Sequence, residues 1–545
     1  MSLALSSPYD ALAATAGRFP AHEFLHVPAS AARAYSGTAI TLTYAEALAQ
    51  VDTLKGKYRE AGLGTGHRVA LLLENRPAFF LHWLALNALG ASVVPVNPDY
   101  RRTELAYLLS HSESVLCVGL AERLDDLRAA AAEAGLALPV TSAERVLQGL
   151  PAVAPATAAS TIGLKAECAL MYTSGTTGKP KGCLLSNAYF VHMGLRYVNR
   201  RGSVQLEEGR SRVLTPLPMF HMNAMAGSTM GMILSAGCVI QLDRFHPKSW
   251  WGDVAASRAT GIHCLGVMPA ILLGLPSAPE ESQHRVRYGT AANVEPQHHA
   301  AFEKRFGFPL IEGWAMTETG AGAAISADAE PRHPGTRCFG QPGPGVELRL
   351  VDEQGAEVRE GDPGEMLVRH AGPDPAEGFF SGYLKDAAAT AAGWAGGWWH
   401  TGDVVRRWPD GTLHFVDRRK NVIRRSGENI SALEVEETLR GHPLVAHAAV
   451  TGVHDEVRGE EVMACIVARG PAGAAEAQAI FDWARERTAY YKCPGWIAFV
   501  ADLPTTATQK LQRGAMRELG AGLVGSAGCF DLRAAKRRVA PKETA

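Results

Sequence analysis

Segment 43–75 places an amphipathic helix directly before a short, continuously apolar run, and this order constrains the possible folds strongly. Thr43, with Glu46 three residues later, predicts a capped helix start, and Gly62 predicts the helix end. The run at 68–75 is typical of a strand that is covered on both faces. Helix and buried strand recurring in this order indicate an α/β fold with a substantially parallel sheet.

The composition limits the partners that the chain can attract through charge alone. Its 545 residues exceed one ordinary core, so we expect several domain-sized units. With 54 Lys and Arg residues against 55 Asp and Glu residues, the net charge is -1. A chain whose positive and negative charges nearly cancel has no long-range electrostatic attraction for nucleic acid or an anionic membrane. We therefore expect partners to bind at local sites.

The apolar segments do not predict membrane insertion. Segment 79–96 is the most apolar, but His82, Asn87 and Pro95 interrupt it, which indicates a buried helix followed by a strand. The start of the chain lacks a basic region followed by a long apolar run, so no secretory signal is expected. The nine cysteines have no CxxC spacing and indicate reduced thiols. We therefore expect a cytoplasmic protein without integral membrane association.

The order of predicted strands and helices changes beyond residue 400. A strand-like run at 412–419 is followed by a second capping box, Ser431 with Glu434, which predicts a helix start. Two further strand-like runs follow at 446–453 and 461–469. This order predicts a compact βαββ-type unit of roughly a hundred residues at the C-terminus, with its boundary near 418–421.

The stretch 173–182, TSGTTGKPKG, has the composition of a phosphate-binding loop. Its glycines permit close backbone approach, its hydroxyls donate hydrogen bonds, and Lys179 and Lys181 supply positive charge. The Walker pattern requires Ser or Thr after its lysine, whereas Pro180 stands there. Because strand-like runs lie on both sides, we expect a hairpin-like turn that binds polyphosphate, and the alternative is a flexible surface turn.

This loop resembles the signature of the acyl-adenylate-forming superfamily, which includes acyl-CoA synthetases, luciferases and peptide-synthetase adenylation domains. The resemblance implies a large N-terminal domain of α/β sheets and a small mobile α+β C-terminal domain. We place these domains at 1–419 and 420–545, with a hinge at Lys420. Further matching motifs follow in order and cover nearly the whole chain: GWAMTETG at 313–320, HTGD at 400–403, VDRRKNVIRRSGEN at 416–429 and LPTTATQK at 503–510.

The resemblance implies how ATP and Mg²⁺ are bound. Trp314 stands at the position that stacks on adenine, Asp403 at the position that binds the ribose hydroxyls, and Arg418 contacts ribose or phosphate. Thr317 would approach the α-phosphate, and Glu318 would bind Mg²⁺. The loop residues expected to hold the outer phosphates are Thr173, Ser174, Gly175, Thr176, Thr177, Gly178 and Lys179.

Lys510 matches the lysine that bridges the attacking carboxylate and the α-phosphate. A cation between two anions reduces their repulsion and stabilises the transition state. The family usually has glycine before this lysine, whereas this chain has Gln509, which would be strained if the backbone there had positive φ. By resemblance, the catalytic residues are Lys510, Glu318, Thr317 and His221.

The acyl pocket and the thiol site are also implied by resemblance. Several stretches are similar to the carnitine/crotonobetaine-type CoA ligases, but Asn223 stands where an acidic residue would better complement a trimethylammonium group. The mixed, small pocket residues indicate a short or medium carboxylic acid. Ser426 and Gly427 are expected beside the CoA thiol. The pocket residues are His221, Asn223, Val267, Met268, Gly289 and Ala291.

The implied reaction has two halves. A carboxylate attacks the α-phosphate of Mg-ATP and expels pyrophosphate, and the thiol of coenzyme A then attacks the acyl-adenylate and expels AMP. One alternative acceptor is the phosphopantetheine of a carrier protein, although the chain shows no carrier domain. A second alternative is a non-catalytic nucleotide-binding sensor, against which Lys510, Glu318 and the phosphate loop argue.

Overall fold

The computed structural model describes residues 5–156, 162–173, 179–266, 268–292, 294, 296–352, 354–418, 422–504 and 513–537. Within these ranges, no helix is both long and apolar enough to cross a membrane. The segment 79–96 instead forms part of a buried helix and a following strand, as its sequence predicts.

Helices and strands alternate through much of the large N-terminal part. The helices, in chain order, are α1 (Pro8–Arg18), α2 (Tyr44–Glu60), α3 (Pro77–Asn87), α4 (Arg102–Ser112), α5 (Leu124–Glu133), α6 (Ala143–Val146), α7 (Asn187–Val198), α8 (Met230–Leu234), α9 (Trp250–Ala256), α10 (Met268–Gly274), α11 (Pro296–Phe306), α12 (Ala387–Gly393), α13 (Ala432–Arg440), α14 (Ala474–Arg487) and α15 (Arg513–Leu523). A π-helix, Asn223–Thr229, leads directly into α8.

The strands form several sheets. In chain order they are β1 (Glu23–Val27), β2 (Ile40–Thr43), β3 (Arg68–Leu72), β4 (Ser92–Pro95), β5 (Leu116–Gly119), β6 (Val140–Ser142), β7 (Glu167–Thr173), β8 (Lys181–Ser186), β9 (Arg212–Thr215), β10 (Cys238–Gln241), β11 (Gly261–His263), β12 (Tyr288–Ala291), β13 (Leu310–Trp314), β14 (Ile325–Ser326), β15 (Cys338–Gly340), β16 (Val346–Val351), β17 (Pro363–His370), β18 (Gly382–Tyr383), β19 (Trp399–Arg407), β20 (Leu413–Arg418), β21 (Val422–Arg425), β22 (Glu428–Ser431), β23 (Val445–Asp455), β24 (Gly459–Ala468), β25 (Trp496–Phe499) and β26 (Cys529–Asp531).

Two largely parallel sheets dominate the N-terminal part and confirm the α/β class. One has the order β14-β13-β12-β11-β9-β10-β1-β2, and its strands from β13 to β1 are parallel. The other has the order β18-β8-β7-β4-β3-β5-β6, in which β7 to β6 are parallel. An antiparallel sheet, β15-β20-β19-β17-β16, adjoins them.

Strand β3 shows why the sequence predicts coverage on both faces. Val69 and Leu71 enter one hydrophobic core, whereas the alternating residues Ala70 and Leu72 enter another. Since successive side chains of a strand point to opposite faces, both faces need apolar residues. The capping box at the start of α2 is also confirmed, because the Thr43 hydroxyl accepts a bond from the Glu46 amide and the Glu46 carboxylate accepts one from the Thr43 amide.

The C-terminal part is a small α+β domain with hydrophobic clusters of its own. Strands β21 to β26 form one mixed sheet, and the two strand-like runs predicted at 446–453 and 461–469 correspond to β23 and β24, which pair antiparallel. Helices α13 and α14 contribute Val435, Leu439, Ile480 and Phe481 to its core. The predicted hinge, Lys420, lies outside the described residues, and the boundary between 419 and 420 remains a prediction.

Candidate active site

The glycine-rich loop joins two antiparallel strands, as predicted. The last pair of the β7–β8 ladder is Thr173 with Lys181, so the loop is a hairpin connection and does not open a helix. The Tyr107 hydroxyl donates to the Pro180 carbonyl at 3.0 Å and fixes one end of the turn. The predicted phosphate-binding residues Ser174, Gly175, Thr176, Thr177 and Gly178 lie outside the described residues.

The two lysines of the loop have different environments. The Lys179 side chain is exposed, and its ammonium lies 5.5 Å from the centroid of the Tyr107 ring, where the positive charge is available to an anion. The Lys181 ammonium lies 3.3 Å from the Asp386 carboxylate and 4.7 Å from the Tyr383 ring centroid. Lys181 therefore joins the loop to the segment that includes β18.

Trp314 and Asp403 are brought together from distant parts of the chain. The indole Nε1 of Trp314 donates to Asp403 Oδ2 at 2.8 Å, although 89 residues separate them. Trp314 ends β13 and Asp403 lies in β19, where it is paired in register with Arg418 of β20. The structure thus places the residues predicted for adenine and ribose next to each other.

Glu318 is buried and hydrogen-bonded, with 7% of its surface exposed. The Tyr383 hydroxyl donates to Glu318 Oε1 at 2.7 Å. Burial and the neighbouring Glu318 carboxylate raise the pKa of Tyr383, so this phenol stays protonated and continues to donate. The Phe380 amide donates to the Glu318 carbonyl, and the Tyr189 hydroxyl donates to the Thr317 carbonyl at 2.9 Å, which together hold the Thr317–Glu318 turn in place.

The donor set at Glu318 fits Mg²⁺ in its chemistry. Glu318 has a second carboxylate oxygen besides the one that Tyr383 binds, and Mg²⁺ prefers hard oxygen ligands. Among the described residues, no group of three or more His, Cys, Asp or Glu side chains forms a closed metal cage. A single carboxylate with substrate phosphates and water is the arrangement in which Mg²⁺ is usually bound at nucleotide sites.

His221 and Asn223 lie at the start of the π-helix. The His221 imidazole keeps accessible surface, yet burial within surrounding protein atoms lowers its pKa to about 4. The ring is therefore neutral at neutral pH and still partly accessible. Asn223 Oδ1 accepts a bond from the Tyr197 hydroxyl at 2.5 Å, which ties this segment to α7. π-Helical turns are frequent at functional sites.

Two of the other predicted pocket residues, Met268 and Ala291, lie near the carboxyl ends of the parallel strands, whereas Gly289 is the second residue of β12. Ala291 ends β12, and Met268 begins α10, which follows β11. A side chain at Gly289 would meet Leu310 at 2.8 Å, so the strand packs closely against its neighbour there. Ligands of open α/β sheets bind beyond these strand ends. Val267 lies outside the described residues, and the pocket assignments stay predictions.

The turn between β21 and β22 lies against the acyl-pocket side of the large domain. Ser426 and Gly427 have φ values of 51° and 87°, which are typical of a tight hairpin turn. A Cβ placed on Gly266 would lie 3.6 Å from the Gly427 amide nitrogen. Gly266 is two residues before Met268, so the residues predicted to contact the CoA thiol lie beside the predicted acyl pocket. Lys510 and Gln509 lie outside the described residues.

The sequence analysis missed two tyrosines and one arginine at this site. Tyr383 binds Glu318 from 65 residues away, and Tyr189 binds the Thr317 carbonyl from 128 residues away. Arg196 of α7 contacts Ser326 at the edge of the sheet. Tyr189 lies near the loop because its amide donates to Ser186, the N-cap of α7 and the last residue of β8.

Comparison with known proteins gives this geometry a context. Residues 12–384 match the family described as AMP-binding enzyme, and residues 434–510 match the AMP-binding enzyme C-terminal domain. The chain belongs to the AMP-binding enzyme family, and its fold is that of adenylate-forming enzymes.

Its relatives narrow the class. The chain is 34% identical over 480 residues to the sulfoacetate–CoA ligase of Cupriavidus necator, which covers 87% of this chain and 91% of that protein. It is 30% identical over 490 residues to the crotonobetaine/carnitine–CoA ligase of Citrobacter koseri, covering 87% and 93%. The solved structure of a malonyl-CoA ligase with methylmalonyl-CoA and AMP superposes with a TM-score of 0.73 at 27% identity, covering 89% and 96%.

The protein is an AMP-forming acyl-CoA synthetase, that is, an acid–thiol ligase that uses ATP and proceeds through an adenylate. The sequence-based prediction of the family, the fold class and this enzyme class is confirmed.

Proposed function

We propose that the enzyme activates a short or medium carboxylic acid as its acyl-adenylate and transfers the acyl group to coenzyme A itself. The observation that carries this proposal is the 2.8 Å bond between Trp314 and Asp403, because it joins an aromatic surface for a base to a carboxylate for ribose hydroxyls. Lys179 and the buried Glu318 carboxylate would supply the positive charge and the metal ligand that a bound nucleotide needs.

In the first half-reaction the protein aligns two anions. Lys179 and the loop would hold the outer phosphates, and Thr317 would approach the α-phosphate. Mg²⁺, when bound at Glu318, would neutralise charge on the phosphates. Tyr383 keeps Glu318 oriented through its 2.7 Å bond. Lys510 would lie between the incoming carboxylate and the α-phosphate, so that pyrophosphate leaves as the acyl–phosphate bond forms.

In the second half-reaction the thiol must reach the acyl carbonyl. The proximity of Gly266 to the Ser426–Gly427 turn supports a thiol path near this point, since it brings the residues predicted to contact CoA beside the predicted acyl pocket. The thiol sulfur forms the new bond to the acyl carbon, and AMP leaves with the electrons of the broken anhydride bond. The neutral state of His221, which its lowered pKa favours, leaves its ring able to accept a proton or a hydrogen bond near the acyl group.

The acid and the acceptor are tested together by one assay. Purified enzyme with Mg-ATP is given a panel of acids, and AMP and pyrophosphate are measured with and without CoA. The panel contains acetate, propanoate, butanoate, hexanoate, malonate, succinate, sulfoacetate, crotonobetaine and carnitine. We expect at least one acid to give CoA-stimulated AMP release and a thioester of the expected mass.

Two results would count against the proposal. Turnover only with an added carrier protein that bears phosphopantetheine would replace CoA as the acceptor. Absence of pyrophosphate release with every acid of the panel would favour a nucleotide-binding protein without ligase activity on these acids.

A further inference from the structure

Helix α7 runs from the adenylate side of the site along the edge of the largest sheet. Near its start, the Tyr189 hydroxyl binds the Thr317 carbonyl. At its end, Arg200 forms a two-bond ion pair with Asp328, at 3.0 and 3.2 Å, and lies 6.0 Å from the ring of Tyr288, the first residue of β12. The helix therefore descends from the carboxyl ends of the strands towards their amino ends.

Arg196 lies on the face of α7 that looks towards the site. It follows Tyr189 by seven residues, about two turns and roughly 10 Å, so the two side chains share a face. Helical side chains lean towards the helix N-terminus, which directs the guanidinium back up towards Thr317. Its Nη2 lies 3.4 Å from Ser326 Oγ, and Ser326 is paired with Gly313, the residue before Trp314.

The guanidinium of Arg196 has no anionic partner among the described residues. The nearest charge of opposite sign, Asp328, is already held by Arg200, and the bond to Ser326 is long and neutral. The side chain keeps accessible surface, yet burial and the neighbouring Arg200 lower its pKa to about 10, which still leaves it protonated at neutral pH. The guanidinium is therefore a half-buried cation whose side-chain partner, Ser326, is a neutral hydroxyl.

The helix that carries Arg196 packs against the segment with the predicted acyl-pocket residues His221 and Asn223. The next residue along α7, Tyr197, binds Asn223, which is two residues from His221. Gly313 is paired with Ser326, which Arg196 contacts, and it lies one residue before the end of β13, beside β12. Because Gly313 has no side chain, it places no bulk between Arg196 and the carboxyl ends of these two strands. A desolvated cation without a counter-charge is unfavourable, so an anion supplied by a ligand would be bound strongly.

We propose that Arg196 binds a second anionic group, a carboxylate or a sulfonate, at the far end of the substrate acid. The proposal rests on the function proposed above and specifies its substrate class as short acids that are dianionic at neutral pH. A guanidinium presents a planar fork of donors that matches both groups. The same cation repels a trimethylammonium group, which agrees with the absence of an acidic side chain at Asn223.

The test compares acids that match in length and differ in the second charge. For the wild type, kcat/KM is measured for two pairs of acids, malonate with propanoate and succinate with butanoate. It is also measured for sulfoacetate, the sulfonated acid of the panel. We expect the dianionic member to be preferred by at least tenfold. Comparison of kcat/KM for the dicarboxylates with kcat/KM for the sulfonated acid shows whether the site binds a carboxylate or a sulfonate better.

Arg196→Met keeps the length of the side chain and removes its charge. We expect it to lower kcat/KM for the preferred dianionic acid by on the order of 100-fold, mainly through KM, while kcat/KM for the uncharged-tail acids stays the same or rises. Arg196→Lys is expected to recover part of the loss, because it restores the charge without the fork. Arg128→Met, at an exposed arginine of α5, is the matched control. It should change kcat/KM neither for the dianionic acid nor for the uncharged-tail acids.

Two outcomes would overturn the inference and leave the proposed function intact. One is a wild type that turns over propanoate or butanoate as well as the dianionic acids. The other is an Arg196→Met variant that loses activity equally on both kinds of acid, which would show a structural role. Failure of every acid to release AMP would instead remove the proposed function on which the inference rests.

Discussion

The ammonium of Lys492, in the C-terminal domain, lies 2.7 Å from the carboxylate of Glu104 in the large domain. A second carboxylate, Glu434, lies 2.6 Å from the same ammonium, and all three side chains are largely buried. Burial and the neighbouring Glu434 raise the pKa of Glu104 despite the ion pair with Lys492, so the cation is shared by two competing carboxylates. Nearby, Asn97 donates to the Tyr491 hydroxyl at 2.9 Å. These contacts hold the domain orientation in which the Ser426–Gly427 turn lies beside Gly266.

Lys492→Met should therefore impair the step that needs this orientation. Removal of the cation leaves two buried carboxylates facing each other, which costs on the order of 3 kcal/mol in this arrangement. We expect thioester formation from supplied acyl-adenylate to slow by at least tenfold, and pyrophosphate release to change less. Rapid-quench measurement of each half-reaction checks this. Lys57→Met, which removes a surface ion pair, is the control, and equal slowing of both halves by Lys492→Met would disprove the assignment.

Lys510→Ala should slow the first half-reaction and spare the second, the opposite of the effect expected for Lys492→Met. Because the lysine is predicted to neutralise charge only while the carboxylate meets the α-phosphate, pyrophosphate release should fall by about 100-fold or more. Thioester formation from supplied acyl-adenylate should remain near the wild-type rate. Gln509→Gly, which introduces the residue usual in the family, should leave both rates close to wild type. Loss of thioester formation in Lys510→Ala would argue against the division of roles.

Trp314→Phe and Asp403→Asn test the contact that carries the proposed function. Trp314→Phe keeps an aromatic face but removes the indole donor, so we expect KM for ATP to rise about three- to tenfold. Asp403→Asn weakens a buried, charge-assisted bond and the predicted ribose contact, so the rise should exceed tenfold. KM for the acid should change little in both. Initial-rate kinetics with each substrate varied will show whether the effect is confined to ATP.

The stability of the large domain should depend on His299 in a defined pH window. Its ring nitrogens lie 3.3 Å from Glu303 and 3.4 Å from Glu312. Burial alone would lower the pKa of His299, but the ion pairs with Glu303 and Glu312 outweigh it and raise the pKa to about 9. A raised histidine pKa contributes stability that is fully present below pH 6.5 and is lost as pH rises through about 9.

His299→Gln should thus be less stable than wild type by on the order of 3 kcal/mol at pH 6, and the difference should shrink from about pH 6.5 and be nearly lost at about pH 9. Urea unfolding at several pH values measures it. His298→Gln, at the neighbouring position of α11, should show no such trend. A constant difference from pH 6 to pH 10 would mean that packing, and not the charge of His299, is responsible.

The features that were predictable from sequence are those fixed by local order. The α2 capping box, the both-sided burial of β3 and the hairpin around the glycine-rich loop each depend on residues close together in the chain. The bonds from Tyr383 to Glu318 and from Lys492 to Glu104 join residues 65 and 388 positions apart, and their partners belong to no local pattern. Arg196 is similar, because a single arginine on an amphipathic helix ordinarily indicates a solvent-facing position, and only the descent of α7 past the sheet edge shows otherwise.

The distribution of the cysteines has a consequence for the fate of the reactive intermediate. Acyl-adenylates react with any accessible thiolate, and this chain carries nine free cysteines. Eight are buried, and burial raises the pKa of Cys183, which lies beside the phosphate loop and next to Thr173, well above its ordinary value. Burial of these thiols thereby protects the protein from acylation by its own acyl-adenylate intermediate. Among the described residues, the buried Cys183 beside the loop is therefore a poor competitor for the thiol of the incoming co-substrate.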